Sequence, residues 1–163
     1  MSPMLAFEEG LIRTTHFDDE MRQLADRHYS RRTVGARQFL YSGRKLVLRD
    51  AGGLVLFAWI WPEDHMRMDG QTGYNNAIFR NESGRRSSDI IREAEDRAFE
   101  KWGPNRLYTY VDPRKIASPN PGYCFKKAGW HYERLSASGQ HLLVRYDEHD
   151  GGLADTDTGG TGR

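Results

Sequence analysis

The sequence has little of three features that define some protein classes at once. It contains one cysteine, Cys124, which excludes an internal disulfide framework and suits a reducing cytoplasm. Its longest apolar run, Leu54–Trp61, has eight residues, whereas a membrane-spanning helix needs about 18. We therefore expect neither a membrane span nor a signal peptide. Cysteine and histidine do not cluster at ligand spacing, so we expect no structural zinc site.

Neither sign of charge dominates the chain, whose formal net charge is +1, but the charges are unevenly distributed. Residues 147–163 contain five acids and one arginine, and residues 1–20 contain five acids and Arg13. Residues 21–146 have 22 Lys and Arg against 13 Asp and Glu, a surplus of nine. This surplus favours a polyanionic partner such as DNA, although many arginine-rich proteins are simply soluble. We expect one domain over 1–146 and a disordered acidic Gly/Thr-rich tail over 147–163.

Hydrophobic periodicity predicts elements in the order α-β-β-β-α-β-α-β-β, hence an α/β domain with a mixed, largely antiparallel sheet flanked by helices. In the longest helix, Ile91, Ala94, Ala98 and Trp102 form one apolar stripe, and Ser87 or Ser88 is the expected N-cap. We expect a first helix after Phe17, strands over 45–50, 54–61, 74–80 and 106–111, helices over 88–102 and just after Gly122, and a closing hairpin that ends at Tyr146.

The turn between Asn81 and Ser87 is the most informative stretch. A glycine lets the backbone approach a ligand, and the helix start that follows directs unpaired N–H groups outward. Three arginines surround the same place. The combination predicts an anion site suited to phosphate, with the alternative that the turn only connects a strand to a helix. The expected donor-binding residues are Arg80, Ser83, Gly84, Arg85, Arg86, Ser87 and Ser88.

Residues 29–45 alternate cations with aromatic rings. Rings can stack on unpaired bases while cations hold phosphates, so this pattern predicts contact with a single-stranded or flipped-out nucleotide. The alternative is a solvated loop whose aromatic side chains pack on the core. The candidate nucleic-acid-binding residues are Tyr29, Arg31, Arg32, Arg37, Tyr41, Arg44 and Lys45.

Three further residues could move protons. His28 follows the first helix, Asp112 ends a strand and Tyr123 begins the short helix. An imidazole suits proton transfer, a carboxylate could orient it or accept a proton, and a phenol could protonate a leaving thiolate. Each residue also has a structural alternative: His28 as a helix cap, Asp112 as the start of an Asx turn before Pro113, and Tyr123 as a core residue.

The chain resembles the acetyltransferase-like (GNAT) superfamily in two segments. Phe125–Trp130 is similar to that superfamily's Phe–x–x–x–Gly–Phe/Trp helix ending, and Asn81–Arg86 stands where its pyrophosphate-binding turn lies, with arginine in place of a small residue. The resemblance implies a GNAT-like fold and a donor that is acetyl-CoA or another phosphorylated molecule.

A narrower resemblance is to the bacteriophage Mom family, through His28–Ser30, Asn81–Ser83, Asp112–Pro113, Gly122–Tyr123 and Ala128–Trp130. It implies a transferase that adds a carbamoylmethyl group to adenine N6 in DNA, which protects phage DNA from restriction. The implied setting is the cytoplasm of a bacterial or phage-infected cell. The implied catalytic residues are His28, Asp112, Tyr123 and a serine of the turn, Ser83 or Ser87.

Two alternatives stay open at this point. One is an ordinary acetyl-CoA-dependent N-acetyltransferase that acts on a small or protein amine. The other is a catalytically silent nucleic-acid-binding module of the same fold. The aromatic residues could equally form the surface of a homodimer.

Overall fold

The computed structural model describes residues 10–28, 39–116 and 118–146. Within them, seven strands form one sheet in the order β1-β2-β3-β4-β5-β7-β6. The expected tail over 147–163 lies outside the described residues. The elements are β1 (Ile12–Thr14), α1 (Asp19–Asp26), β2 (Arg44–Arg49), β3 (Val55–Trp61), β4 (Tyr74–Asn81), α2 (Ser87–Trp102), β5 (Leu107–Val111), α3 (Tyr123–Lys127), β6 (His131–Leu135) and β7 (His141–Arg145), with short 3-10 turns at Asp64–Met66, Met68–Gly70 and Pro113–Lys115.

The predicted α/β class with a largely antiparallel sheet is confirmed. Neighbouring strands pair antiparallel except β4 and β5, which are parallel because α2 lies between them in the chain. The sequence analysis missed β1, which pairs with the end of β2. It is only three residues long and only partly buried, so it has no apolar alternation that a pattern could detect.

The two faces of the sheet carry different helices. Asp18 caps α1 by accepting a hydrogen bond from the Met21 amide at 3.1 Å, and α1 buries Met21, Leu24 and Ala25 on one face. The opposite face carries α2 and α3. We call them the α1 face and the α2 face.

Helix α2 packs on the sheet as its periodicity predicts. Ile91, Ala94 and Ala98 are buried, and the Trp59 indole donates to the Ala94 carbonyl at 2.9 Å. The expected N-cap was wrong: Arg86 holds the cap position without a side-chain cap, and Ser87 is the first helical residue. The Ser87 hydroxyl accepts a hydrogen bond from the Asn81 side chain instead.

Strands β4 and β5 diverge, and this divergence positions the candidate site. They pair only over Tyr74–Asn76 and Leu107–Thr109. Immediately afterwards β4 has a bulge, since Asn76 pairs with Trp59 and Ile78 with Ala58, which leaves Ala77 as an extra residue. The Asn76 amide stabilises the bulge by donating to the Ala58 and Ile78 carbonyls at 3.1 and 3.0 Å. A wedge therefore opens between the carboxyl ends of the two strands.

Candidate functional site

The turn between β4 and α2 is held in shape by one side chain, that of Asn81. Its Nδ2 donates to the Arg85 carbonyl and to the Ser87 hydroxyl, both at 2.9 Å. Its Oδ1 accepts from the Ser83 amide at 2.9 Å and from the Ser83 hydroxyl at 2.6 Å. The Ser83 hydroxyl in turn accepts from the Arg85 amide at 3.1 Å. These bonds fix the backbone and use only the amides of Ser83 and Arg85.

Several amides of this turn are free to bind a ligand. Over the described part of the chain, the N–H groups of Gly84, Arg86, Ser87 and Ser88 have no acceptor. A Cβ added at Gly84 would meet no atom within 4 Å, so the space in front of it is open. The positive end of the α2 dipole lies at the same place. Free amides, open space and the dipole fit a phosphate-bearing donor.

The three arginines expected at this turn have different partners. Arg80 pairs with Glu82 at 2.9 Å and donates to the Arg27 carbonyl at 3.1 Å. Arg85 pairs with Glu93 at 3.0 Å. Arg86 is exposed and has no ion pair within the described residues. Arg80 and Arg85 are therefore each held in an ion pair, but each carboxylate is shared with a second arginine, Arg27 or Arg97, so the positive charges around the turn still exceed the negative ones. The anion site at this turn stays a prediction.

Glu82 and Glu93 are the residues that the sequence analysis did not consider in this role. The guanidiniums of Arg27 and Arg80 lower the pKa of Glu82 to about 2. Glu93 also accepts from the Leu11 amide at 2.7 Å. Glu93 lies on α2, eight residues after Arg85. Helical neighbours are three or four residues apart, so this pair could not be predicted from sequence spacing.

His28 lies at the end of α1 on the α1 face. Its amide donates to the Ala25 carbonyl at 2.9 Å. Burial, followed by the nearby Arg80 guanidinium, lowers its pKa from 6.5 to about 4. The imidazole is thus neutral at pH 7, and as a proton acceptor it is weaker than an ordinary histidine.

Asp112 forms the Asx turn before Pro113 that was the structural alternative to a catalytic role. It caps the 3-10 turn by accepting from the Arg114 amide at 3.0 Å, and its oxygens also accept from the Arg114 guanidinium at 2.9 and 3.2 Å. Arg114 lowers the pKa of the carboxyl. Asp112 is therefore ionised at neutral pH and has little tendency to take up a proton, while its catalytic role stays a prediction.

Tyr123 is the first residue of α3 and is 55% exposed, so the alternative of a core tyrosine is wrong. A Cβ at the preceding Gly122, whose φ is +75°, would collide with Leu143 and lie 3.5 Å from Val111. This close approach holds the start of α3 against the end of β5, beside Asp112. The neighbours of Tyr123 and Asp112 in the chain, Gly122 and Val111, thus lie against each other at the end of β5, whereas His28 lies on the α1 face near Arg80 of β4.

Part of the predicted nucleic-acid surface can be placed. Tyr29, Arg31, Arg32 and Arg37 lie outside the described residues. Tyr41 is half-buried against the α1 core and accepts a hydrogen bond from the Asn75 amide at 2.6 Å. Arg44 lies over the Trp61 ring at 4.7 Å, and Lys45 donates to the Gly43 carbonyl at 3.1 Å. Both belong to β2 rather than to a loop.

Within the described ranges, no group of three or more His, Cys, Asp or Glu residues could hold a metal ion. No described helix combines the length and apolar character that crossing a bilayer requires.

The fold is similar to that of solved aminoglycoside acetyltransferases. The structure of AAC(6')-Ib with coenzyme A and kanamycin matches 85% of this chain and 95% of its own, with 14% identity and a TM-score of 0.56. Its complex with ribostamycin and coenzyme A gives 13% identity, coverage of 85% and 93%, and a TM-score of 0.56. Its paromomycin and acetyl-CoA complex gives a TM-score of 0.54 at 13% identity and the same coverage.

These similarities show the fold. The expected GNAT-like architecture is therefore confirmed, and the chain is an α/β protein of that fold. No family model matches the sequence, and no curated protein matches it. The resemblance to the Mom family stays a prediction.

Proposed function

We propose that this protein is an acetyl-CoA-dependent N-acetyltransferase whose acceptor is an amine. The observation that carries the proposal is the free-amide turn beside the wedge between β4 and β5. The solved structures of similar fold are named as acetyltransferases in complex with coenzyme A or acetyl-CoA, which supports this donor.

The chain's own groups fit the phosphates of the donor and its extended amide-containing arm. The amides of Gly84, Arg86, Ser87 and Ser88 would bind phosphate oxygens, with Arg86 supplying the positive charge that no described carboxylate already neutralises. Beyond Asn76, β4 has no pairing with β5. Its unpaired backbone groups can bind an extended, amide-containing arm as an added strand would.

Acetyl-CoA supplies an acyl group activated as a thioester. Transfer forms a C–N bond and breaks the C–S bond, so the amine loses one proton and the sulfur gains one. Tyr123 is the proposed acid, because its side chain is exposed and its neighbour Gly122 lies against Val111 of β5, so its hydroxyl can hold the proton that the sulfur needs. The amine proton leaves to solvent, because His28 lies on the α1 face and its lowered pKa makes it a weak acceptor.

Binding of acetyl-CoA tests this proposal most directly. Arg86→Ala should weaken the affinity measured by calorimetry about 5- to 10-fold, because one charge-assisted contact contributes about 1 to 1.5 kcal/mol. Lys101→Ala removes an equally exposed cation at the other end of α2 and should change nothing. If wild-type protein does not bind acetyl-CoA, or if both variants behave alike, the donor assignment is wrong.

A Mom-type transfer to adenine N6 in DNA is the second candidate, favoured by the surplus of nine positive charges in residues 21–146. Mass spectrometry of nucleosides from plasmid co-expressed with the protein distinguishes the candidates. A modified deoxyadenosine that disappears in Tyr123→Phe would support DNA modification. Unmodified adenine beside acetylation of small amines would leave only the first candidate.

A further inference from the structure

A buried polar cluster lies on the α1 face where β4 and β5 make their last pairs. Asn75 on β4 is 3% exposed, and its direct partner Tyr108 on β5 is fully buried. The Asn75 amide nitrogen donates to the Tyr41 hydroxyl at 2.6 Å. Two adjacent strands thus bring an amide and two phenols together at the start of the wedge.

Two atoms of this cluster have no partner in the described structure: the Asn75 Oδ1 and the Tyr108 hydroxyl oxygen. Burial, followed by the nearby Tyr41 hydroxyl, raises the pKa of Tyr108, but by distance and angle the Tyr108 hydroxyl oxygen has no hydrogen-bond partner. Buried polar atoms without partners are rare because their lost hydration is not replaced. The pair therefore points to a ligand group that completes it.

The charged groups beside the cluster are held in ion pairs. The Arg106 guanidinium lies over the Tyr108 ring at 5.5 Å and pairs with Glu133 at 3.6 Å. Burial raises the pKa of Tyr41 and of Tyr108, so both phenols keep their protons. Asp69 accepts from the Tyr110 hydroxyl at 3.2 Å and pairs with Arg134 at 3.5 Å. Its charge is already balanced. A cationic ammonium group would find no unpaired anion here and would lose its hydration.

The two open atoms set the chemistry of the ligand. Asn75 Oδ1 can only accept, so it needs an N–H or O–H donor, and an N–H donor is what a carboxamide or an amidine edge offers. The Tyr108 hydroxyl can donate, so it suits a neighbouring acceptor. Tyr41 and Tyr110, the phenols next to the cluster, are half-buried.

We propose that Asn75 and Tyr108 form a recognition subsite for the acceptor molecule, which binds a neutral planar edge with an N–H donor beside an acceptor. Carboxamides and the amidine edges of amino-substituted heterocycles have this pattern. The proposal rests on the proposed function, since it assigns the acceptor's side of the same wedge. It adds that the protein recognises part of the acceptor molecule through hydrogen bonds between neutral groups.

Titration of ¹⁵N-labelled protein tests the subsite, with nicotinamide as the carboxamide probe, adenosine as the amidine probe and cyclohexylamine as the cationic comparison. We expect at least one neutral probe to shift the Asn75 side-chain amide resonances and cyclohexylamine to leave them unchanged. Which neutral probe binds more tightly identifies the source of the edge.

Two variants each remove one of the two atoms that lack a partner. Asn75→Leu and Tyr108→Phe should each weaken probe binding about 10-fold or more, which is the effect of leaving the ligand's polar group unpaired. Tyr108→Phe should keep or raise the melting temperature, because its unsatisfied hydroxyl is gone, whereas Asn75→Leu should lower it slightly, because its hydrogen bond to the Tyr41 hydroxyl is lost as well. Tyr132→Phe, which deletes a phenol hydroxyl on the exposed strand β6, is the matched control and should bind like wild type.

Two outcomes overturn the subsite: no neutral probe binds wild-type protein at millimolar concentration, or the two variants bind as tightly as Tyr132→Phe. Destabilisation by Tyr108→Phe together with absent probe binding would mean that the cluster holds only a buried water. Acetyl-CoA affinity is measured in parallel. If it is absent while probe binding depends on Asn75 and Tyr108, the subsite stands and the proposed function fails.

Discussion

At the scale of single residues, the environment of His28 opposes protonation of its ring. It is packed at the end of α1 near the Arg80 guanidinium, and both burial and that charge oppose a second positive charge. Its backbone amide donates to the Ala25 carbonyl, which holds the main chain of His28 at the end of α1. The neutral imidazole is therefore favoured by the fold itself.

The shifted pKa of His28 predicts a pH-dependent stability. The unfolded chain has a histidine pKa near 6.5 and the folded chain about 4, so between these values the unfolded state binds more protons. Stability is full above pH 6.5 and falls as the pH drops toward 4, by about 2 to 3 kcal/mol at most. Urea unfolding at pH 7, 6, 5 and 4 measures it.

The control for this prediction is His28→Gln, which cannot titrate. Carboxylates such as Glu82 also lose their ion pairs on acidification, so the difference between wild type and variant isolates the histidine. We expect the two curves to be parallel above pH 6.5 and to converge below it. Parallel curves down to pH 4 would show that His28 is protonated normally in the folded protein.

At the scale of elements, the turn between β4 and α2 depends on Asn81. One side chain bonds the amide and hydroxyl of Ser83, the Arg85 carbonyl and the Ser87 hydroxyl. Local bonds of this kind stiffen a turn and keep other amides free for a ligand. The shape of the proposed donor site is therefore set from the end of the strand, not from the helix.

Asn81→Ala should impair both the fold and the site. Losing these bonds should lower the free energy of unfolding by about 1 to 2 kcal/mol, and acetyl-CoA affinity should fall because the free amides are no longer aligned. Chemical denaturation and calorimetry measure the two effects. Asn120→Ala is the control and should change neither, because this residue lies in an exposed loop where its side-chain oxygen accepts a hydrogen bond from Lys126.

At the scale of the whole molecule, a buried carboxylate joins α2 to the last strands. Glu95 is 4% exposed; it accepts from the Trp130 indole at 2.6 Å and pairs with Arg145 on β7 at 2.9 Å. Burial raises the pKa of Glu95, and these partners act against that rise. The contact spans 35 and 50 residues of chain, so it reports on the packing of the α2 face as a unit.

Removing Glu95 should destabilise the entire domain. Glu95→Ala leaves a partly buried guanidinium and a buried indole N–H without their acceptor, at a cost of about 3 kcal/mol. Glu95→Gln keeps an acceptor for Trp130 and should cost less. Glu100→Ala removes a carboxylate that is 67% exposed on the same helix and should change stability by less than about 0.5 kcal/mol. Equal losses for Glu95→Ala and Glu100→Ala would contradict this role.

Much of the fold could be predicted from local pattern. The apolar run Leu54–Trp61 and the stripe of Ile91, Ala94 and Ala98 identify a buried strand and its covering helix. The elements predict the α/β class, and the resemblance of Asn81–Arg86 and Phe125–Trp130 implies the GNAT-like fold. The helix cap was misread because the Ser87 hydroxyl is bonded by Asn81, six residues earlier.

The candidate site could be predicted only in part. The sequence identified Asn81–Ser87 as the turn and Gly84 as its open point, because glycine and a following helix start are local features. It could not show that Glu82 and Glu93 form ion pairs with Arg80 and Arg85, nor that Asp112 pairs with Arg114.

The sequence by itself determined the order of the elements, the apolar faces and the position of the basic turn, since each follows from residues within one helical turn or one strand. Only the tertiary structure decided which charges remain free and which polar atoms lack partners. Asn75, Tyr41 and Tyr108 are separated by more than 30 residues at each step, and they meet only because two parallel strands place them side by side. Electrostatic and hydrogen-bond balance depends on such distant neighbours, and no local pattern encodes it.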